Sequence, residues 1–283
     1  MTTQPISSWH GSLDLVYSDR DGETQIAHAL IQAPLKVQRP FYPESKAICH
    51  SVILHTAGGI VGGDRLSQTI KLQSQANALI TTAAAGKVYR SNGQTAKQTI
   101  NIDVESGACL EWLPQETIIF NGALYHQNLR VELAPGANFL GWEITRFGRS
   151  ARGEKFLAGE WRSHTEIWQQ GKPLFIDRQW LSAGETIINS PVGLAGHPIV
   201  ASLIWIGKPV SPEIIEQARS LWEIKKDRGE AGVTTTQALG LLCRYRGSST
   251  EEVQNWFIEV WQLLRRSLLE RGTIKPRVWM RSI

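Results

Sequence analysis

Asp64 is the one acid in a glycine-rich turn. The stretch His55-Thr-Ala-Gly-Gly-Ile-Val-Gly-Gly-Asp64 places Gly58, Gly59, Gly62 and Gly63 together and closes on a carboxylate. Glycine lets a second chain or a ligand approach the backbone closely. Exposed amides beside a lone carboxylate suit a cation or a partner; the plainer role for Asp64 is to cap its own turn. The run is not a phosphate loop, which ends in Gly-Lys-Ser/Thr; here it ends in Gly63-Asp64-Arg65. A dinucleotide fingerprint needs a helix after the turn, whereas Leu66-Ser-Gln-Thr-Ile-Lys-Leu72 alternates like a strand.

Other chemistry is sparser. No nucleophile elbow Gly-x-Ser-x-Gly occurs. Cys49, Cys109 and Cys243 lie far apart, without Cys-x-x-Cys or zinc spacing, which argues for a reducing compartment and against a disulfide framework. Cys49-His50 and His55 are the nearest thing to a metal cluster, but alternation puts 50 and 55 on opposite faces of a strand. Glu111 with Glu116, or Glu143 with Glu154, would be carboxylate pairs for a hydrolase built on a β-stack. Arg146-Phe-Gly-Arg-Ser-Ala-Arg-Gly-Glu154 is denser in charge than a turn requires and reads as a partner contact, a carboxylate clamp or a solvated turn.

The elements that would hold these residues are mostly strands. A chain of 283 residues with 42% hydrophobic and 20% charged residues is a folded protein with a sizeable core. No apolar run reaches the roughly 18 residues of a membrane helix, and Met1 to Gly11 lacks the pattern of a secretory signal. Ile100, Ile102 and Val104 alternate with Thr99, Asn101 and Asp103, and Leu129, Val131 and Leu133 with Asn128, Arg130 and Glu132. Such period-two runs predict half-buried strands. Further strands are expected at 13–18, 25–32, 48–55, 66–72, 77–83, 156–169, 174–181 and 199–206.

A repeat of about thirty residues links them. Ile70-Lys-Leu-Gln-Ser-Gln-Ala-Asn-Ala-Leu79 resembles Ile102-Asp-Val-Glu-Ser-Gly-Ala-Cys-Leu110 and Val131-Glu-Leu-Ala-Pro-Gly-Ala-Asn-Phe-Leu140. Strand, turn and apolar strand recur, which suggests stacked layers over a shared core. The blocks Lys87–Ser91, Pro114–Thr117 and Arg146–Glu154 would then emerge along one edge. The Gly58–Asp64 turn and the Arg149–Glu154 loop are expected within roughly 20 Å, a few strand spacings.

The last seventy residues turn helical. Ser211-Pro212 starts a helix expected over 212–226, a strand follows near 238–246, and Ser249-Thr-Glu-Glu252 opens a second helix over 250–271, stopped by Gly272. The β-rich body is expected over about 1–206 and 232–246, within a single domain spanning 1–283. The net charge of +4 and eleven tryptophans leave open a basic, Trp-rich nucleic-acid binder.

Four blocks in order carry a resemblance: His55–Asp64, Lys87-Val-Tyr-Arg-Ser91, Trp112-Leu-Pro-Gln-Glu-Thr-Ile-Ile-Phe120 and Gly148-Arg-Ser-Ala-Arg-Gly-Glu154. Together they resemble the UreD family of urease accessory proteins, called UreH in some members, over roughly residues 9 to 270. The resemblance implies a mainly β, helix-like stack of antiparallel strands with two α-helices near the C-terminus. It implies a cytoplasmic, non-enzymatic maturation factor that binds the urease apoprotein and recruits UreF and the GTPase UreG, with no nucleic acid or membrane partner. It implies no resident cofactor, only nickel in transit along a polar path. Asp64 would lie on that path or at its mouth, with Glu111, Glu116, Glu143 and Asp177 as further candidates. Partner contacts would fall on Gly58, Gly59, Gly62, Gly63, Lys87, Tyr89, Arg90, Arg149, Arg152 and Glu154. Transit favours weak oxygen ligands over thiolate or imidazole, which would hold nickel too tightly to release it.

Overall fold

The computed structural model describes residues 8–223 and 229–279. The first half of the chain gives β1 His10–Arg20, β2 Glu23–Gln32, β3 Leu35–Val37, β4 Cys49–His55, β5 Arg65–Leu72, β6 Asn77–Thr82, β7 Gly86–Val88, β8 Ala96–Val104, β9 Cys109–Trp112, β10 Thr117–Ile119, β11 Leu124–Leu133 and β12 Asn138–Phe147. The second gives β13 Glu160–Gln169, β14 Lys172–Ser182, α1 Glu185–Asn189, β15 Ile199–Ile206, α2 Pro212–Glu223, β16 Gly229–Thr235, β17 Leu241–Gly247 and α3 Thr250–Leu264.

Two sheets face each other. One has the order β14-β13-β11-β8-β5-β1-β2; the other runs β16-β17-β15-β12-β9-β6-β4-β3. The three sequence repeats are the units β5–β6, β8–β9 and β11–β12. Each sends one strand to the first sheet and the next to the second, with the turn between. The turns stack: the Cys109 amide donates to the Ala76 carbonyl and the Asn138 amide to the Ala108 carbonyl, both at 3.0 Å. Ala76, Ala108 and Ala137, equivalent in the three turns, are all buried, because a larger side chain would push the layers apart.

This arrangement corrects the expected strand direction. Equivalent strands of successive repeats run parallel, as in β1/β5, β5/β8, β8/β11, β4/β6, β6/β9 and β9/β12. Antiparallel pairs occur toward the ends, at β1/β2, β3/β4, β13/β14, β12/β15, β15/β17 and β16/β17. Alternation reports which face a residue takes, not strand direction, so the stack is mixed rather than antiparallel.

The two sheets read differently because they are covered differently. The seven-stranded sheet shows one face to water, so β5 alternates strictly between exposed and buried residues. The ten-stranded sheet is covered on both faces, by the other sheet and by helices, and β12 is largely buried, as expected for a strand inside two layers. One core cluster lies between the sheets, around Leu15, Ile70, Ile102, Val131 and Phe139. The other lies between the ten-stranded sheet and α2 and α3, around Trp205, Trp222, Trp256, Phe257 and Trp261. Seven of the eleven tryptophans are buried, so most of the aromatic content serves packing.

Helix α3 starts where its capping residues predict: Ser249 Oγ accepts the Glu252 amide at 3.2 Å. Its α-helical part ends at Leu264, Arg265–Leu269 widens into a π turn, and Glu270, at φ 54°, takes the left-handed position that ends it. The stop thus falls two residues before Gly272. The sequence reading also missed α1, the short strands β3, β7 and β10, and the start of β16. Positions 224–226 of the expected first helix, and 1–7 of the expected β body, lie outside the described residues.

Candidate functional site

A cavity of about 360 Å³ lies between the sheets, reaching from the Gly58–Gly59 turn and Lys87 to Glu143. Register explains its polar wall. On β5, β8 and β11 the inward positions run Leu66-Gln68-Ile70, Gln98-Ile100-Ile102 and Gln127-Leu129-Val131, so each strand carries a glutamine where the alternation calls for an apolar residue. Gln98 registers with Gln127, Gln127 with Ser163, and Ser163 with Gln179. Across the gap, Glu143 registers with Ser202 and Ser202 with Arg244. Two facing polar rows therefore run along the stack axis. Within the first row Tyr125 OH donates to Gln98 Oε1 at 2.7 Å, and across the gap Ser163 Oγ donates to both Glu143 oxygens at 2.9 Å. At the outer end Arg244 Nη1 donates to Asp177 Oδ2 and to Ser202 Oγ, each at 2.7 Å.

The cavity wall leaves polar atoms unused. Both ring nitrogens of His55 and Oε1 of Gln68 are buried without a hydrogen-bond partner among the described residues, and both residues line the cavity. Buried polar atoms need partners, so these atoms mark a space suited to water or a polar cargo. Burial pushes the His55 ring below the usual imidazole range, against the pull of Asp64. Burial raises the Glu143 carboxyl to about 7, with Asp177 adding to the rise and Ser163, Thr145 and Arg244 opposing it.

The five candidate metal residues separate. Glu143 and Asp177 meet at one end of the polar rows. Asp64 is buried in its turn, where Oδ1 accepts the Trp9 amide at 2.8 Å and Oδ2 the Val61 amide at 2.9 Å. Glu111 points to the helix side, where it accepts from Arg265 and from Trp261 Nε1. Glu116 precedes β10, partly exposed, with Arg146 as its charged neighbour. Burial pushes the Cys109 thiol up to about 12 and raises Cys49 and Cys243 as well, which leaves no ready thiolate. Among the described residues no cluster of three or more His, Cys, Asp or Glu could hold a metal ion.

The candidate partner residues gather at the other end. Ile60 bridges Val88, and β7 and β10 stack onto β12, so the glycine turn, the Lys87–Ser91 block and the Trp112–Phe120 block form successive layers. Tyr89 OH donates to the Gly58 carbonyl at 3.3 Å, and its ring meets Phe120 edge-on at 4.9 Å. Arg149 lies 4.6 Å over Phe120 and is gripped by both Glu154 oxygens at 2.8 and 2.9 Å. Two rings thus connect the Gly58–Asp64 turn to the Arg149–Glu154 loop. Gly59 and Gly62 are needed for close approach: a Cβ on Gly59 would run into the Tyr89 ring and the Lys87 carbonyl, and one on Gly62 into Ser91 and the Gln94 carbonyl. Gly58 and Gly63 take φ of 75° and 93°, a region that other residues rarely adopt. Arg90 and Arg152 are exposed at the rim.

Sequence reasoning missed Gln68, Gln98, Tyr125, Gln127, Ser163, Ser202 and Arg244. The signal was present in the strands, as polar residues at inward positions.

A family model described as UreD urease accessory protein matches residues 10–280. Proteins named urease accessory protein UreD are similar over nearly the whole chain. That of a Nostoc species is 68% identical over 274 residues, covering 97% of each chain. That of Trichormus variabilis is 67% identical, covering 98% of each. A Synechocystis protein is 43% identical over 93% of this chain and 97% of its own. The four sequence blocks, the layered architecture they stack in and these likenesses agree: the chain belongs to the UreD family of urease accessory proteins and has a role in urease maturation.

Proposed function

We propose that the protein is a non-enzymatic, cytoplasmic scaffold that binds the urease apoprotein, recruits UreF and the GTPase UreG, and offers nickel a path through its intersheet cavity, holding no resident cofactor. The observation that carries the path is the polar row Gln98–Gln127–Ser163 facing Glu143, beside unpartnered atoms of His55 and Gln68. Amide, hydroxyl and single carboxylate oxygens bind a divalent cation weakly enough to release it. Glu143 and Asp177 lie on this path. Asp64 stands near its mouth, with its oxygens committed to backbone amides. Glu111 and Glu116 stand apart from it. The hydrolase alternative finds no support: Glu111 pairs with Arg265 and Glu154 with Arg149, so neither Glu111/Glu116 nor Glu143/Glu154 forms an acid–base pair. No described helix is long and apolar enough to cross a membrane.

The test is reconstitution of apo-urease with UreF, UreG and this protein, carrying either the native residue or Glu143→Leu. Pull-down with mass identification reads assembly, and metal analysis of the purified urease reads delivery. Intact assembly with reduced nickel is expected. Full nickel content with a folded Glu143→Leu protein overturns the path, and failure of the native protein to capture these partners overturns the scaffold.

A further inference from the structure

The rim around the glycine turn carries charges that nothing in the fold uses. Lys87, Arg90, Arg152 and Lys155 are exposed, and among the described residues none pairs with an acid. The neighbouring Arg149 differs: Glu154 neutralises it and it lies over Phe120. The segments that carry the four cations pack against one another: the Gly148 amide donates to the Ile119 carbonyl at 2.8 Å and Gly148 abuts Lys155, while the Arg152 amide donates to the Arg149 carbonyl at 3.2 Å. Lys87 stands in β7, layered on β10. Arg90 lies over Gly122, whose amide donates to the Ala158 carbonyl at 2.7 Å. Asn121 Oδ1 accepts the Leu157 and Ala158 amides at 2.8 Å, which holds the segment after Lys155 beside Arg90. Leu157, two residues from Lys155, is 50% exposed. An exposed aliphatic side chain beside unpaired cations fits the apolar-centre, polar-rim composition of a protein interface.

We propose that this rim is the docking surface for an acidic protein segment, whose carboxylates engage Lys87, Arg90, Arg152 and Lys155 while an apolar side chain covers Leu157. Charge complementarity names the occupant. A single-stranded nucleic acid would also answer the charge, but it needs aromatic faces to stack on. Here Tyr89 and Phe120 pack edge-on against each other, and Arg149 covers Phe120. Docking would also matter to a cation. Lys87 lines the cavity, so the open rim repels a dication and an acidic partner removes that barrier. This last consequence rests on the nickel path; the docking does not.

The experiment measures anisotropy of a fluorescent polyglutamate peptide bound to the full-length protein at low and physiological salt, with an unlabelled single-stranded oligonucleotide as competitor. The rim variant combines Lys87→Gln, Arg90→Gln, Arg152→Gln and Lys155→Gln. The control combines Arg20→Gln, Arg39→Gln, Lys172→Gln and Arg266→Gln, four exposed cations away from the glycine turn. The rim variant is expected to lose affinity ~10-fold or more, and the control ~2-fold or less. Where the fourfold variant fails to fold, Lys87→Glu and Arg152→Glu are read singly, each with the same expected direction. Equal losses in rim and control, no peptide binding by the native protein, or tighter oligonucleotide binding through the same four cations would each overturn the proposal. Lost rim binding with normal nickel delivery by Glu143→Leu would remove only the path.

Discussion

Glu111 and Glu143 stand on β9 and β12, parallel neighbours in the ten-stranded sheet, yet they point to opposite faces of it. On the helix face Glu111 is 1% exposed and fully engaged. Arg265 donates to it and to both Glu44 oxygens, and His50 Nε2 lies 2.7 Å from Glu44 Oε1. Burial works against the Arg265 charge, but Glu111 and Glu44 outweigh it and keep the guanidinium protonated. Burial likewise works against Glu44, but hydrogen bonds from His50 and Arg265 hold its carboxyl below the usual range. On the cavity face Glu143 accepts from the Ser163 hydroxyl and, among the described residues, has no ion pair of its own, because Arg244 is taken by Asp177. One carboxylate ties the C-terminal π turn to the sheet; the other is left poised in a space with unused polar atoms. A fold built for packing alone has use for the first and none for the second.

Four measurements would break or sharpen this contrast. Arg265→Met has the largest expected effect. It strands the buried Glu111 carboxylate and takes a partner from the half-buried Glu44, which keeps His50, so stability should fall by about 3–5 kcal/mol in chemical denaturation; a loss under about 1 kcal/mol would show that the network is not a unit.

Next is the pH dependence of Glu143. Burial raises its folded pKa to about 7, above the ordinary carboxyl value of 4.5, so folding takes up a proton. Stability is then fullest below the unfolded value and declines as pH rises through the window between the two. The loss reaches at most about 3 kcal/mol above neutrality, less where water enters the cavity. Glu143→Gln should flatten this slope and be the more stable protein at alkaline pH, whereas Glu111→Gln should destabilise at every pH. The same sign for both would erase the distinction.

Asp64→Asn should cost about 1–3 kcal/mol. Both Asp64 oxygens accept backbone amides, and an Asn places its NH₂ against one of them. An unchanged melting curve would show that the turn does not depend on this carboxylate. The smallest effect is expected of Asp177→Asn, about 0.2–1 kcal/mol, because its partner Arg244 is 41% exposed. A larger loss would mean that the outer end of the polar rows is sealed more tightly than its exposure suggests.

How much of this was legible depends on the residue. The repeats were readable because Ala76, Ala108 and Ala137 recur in equivalent turns, and each became one layer of the stack. Strand direction was not readable, since alternation is identical in parallel and antiparallel ladders. Asp64 was readable as a turn cap, since a carboxylate after a glycine run has amides within reach. Glu111 and Glu143 could each be assigned a strand face from their neighbours, but not what covered that face. Arg265 and Glu44 are joined by contacts across more than two hundred positions of chain, which local patterns do not report. The inward glutamines were visible at their positions; only the stacking of β8 on β11 made Gln98 and Gln127 a row.

The layered turns have a consequence for how such a protein can change. Each repeat contributes one strand to each wall of the cavity, so the cavity grows in whole steps of about 4.8 Å, the spacing between neighbouring strands. Gaining or losing a repeat would lengthen or shorten the cavity by one step while leaving the residues at both ends in place. Length and lining are in this way separable, one set by the number of layers and the other by a few side chains at their inward positions.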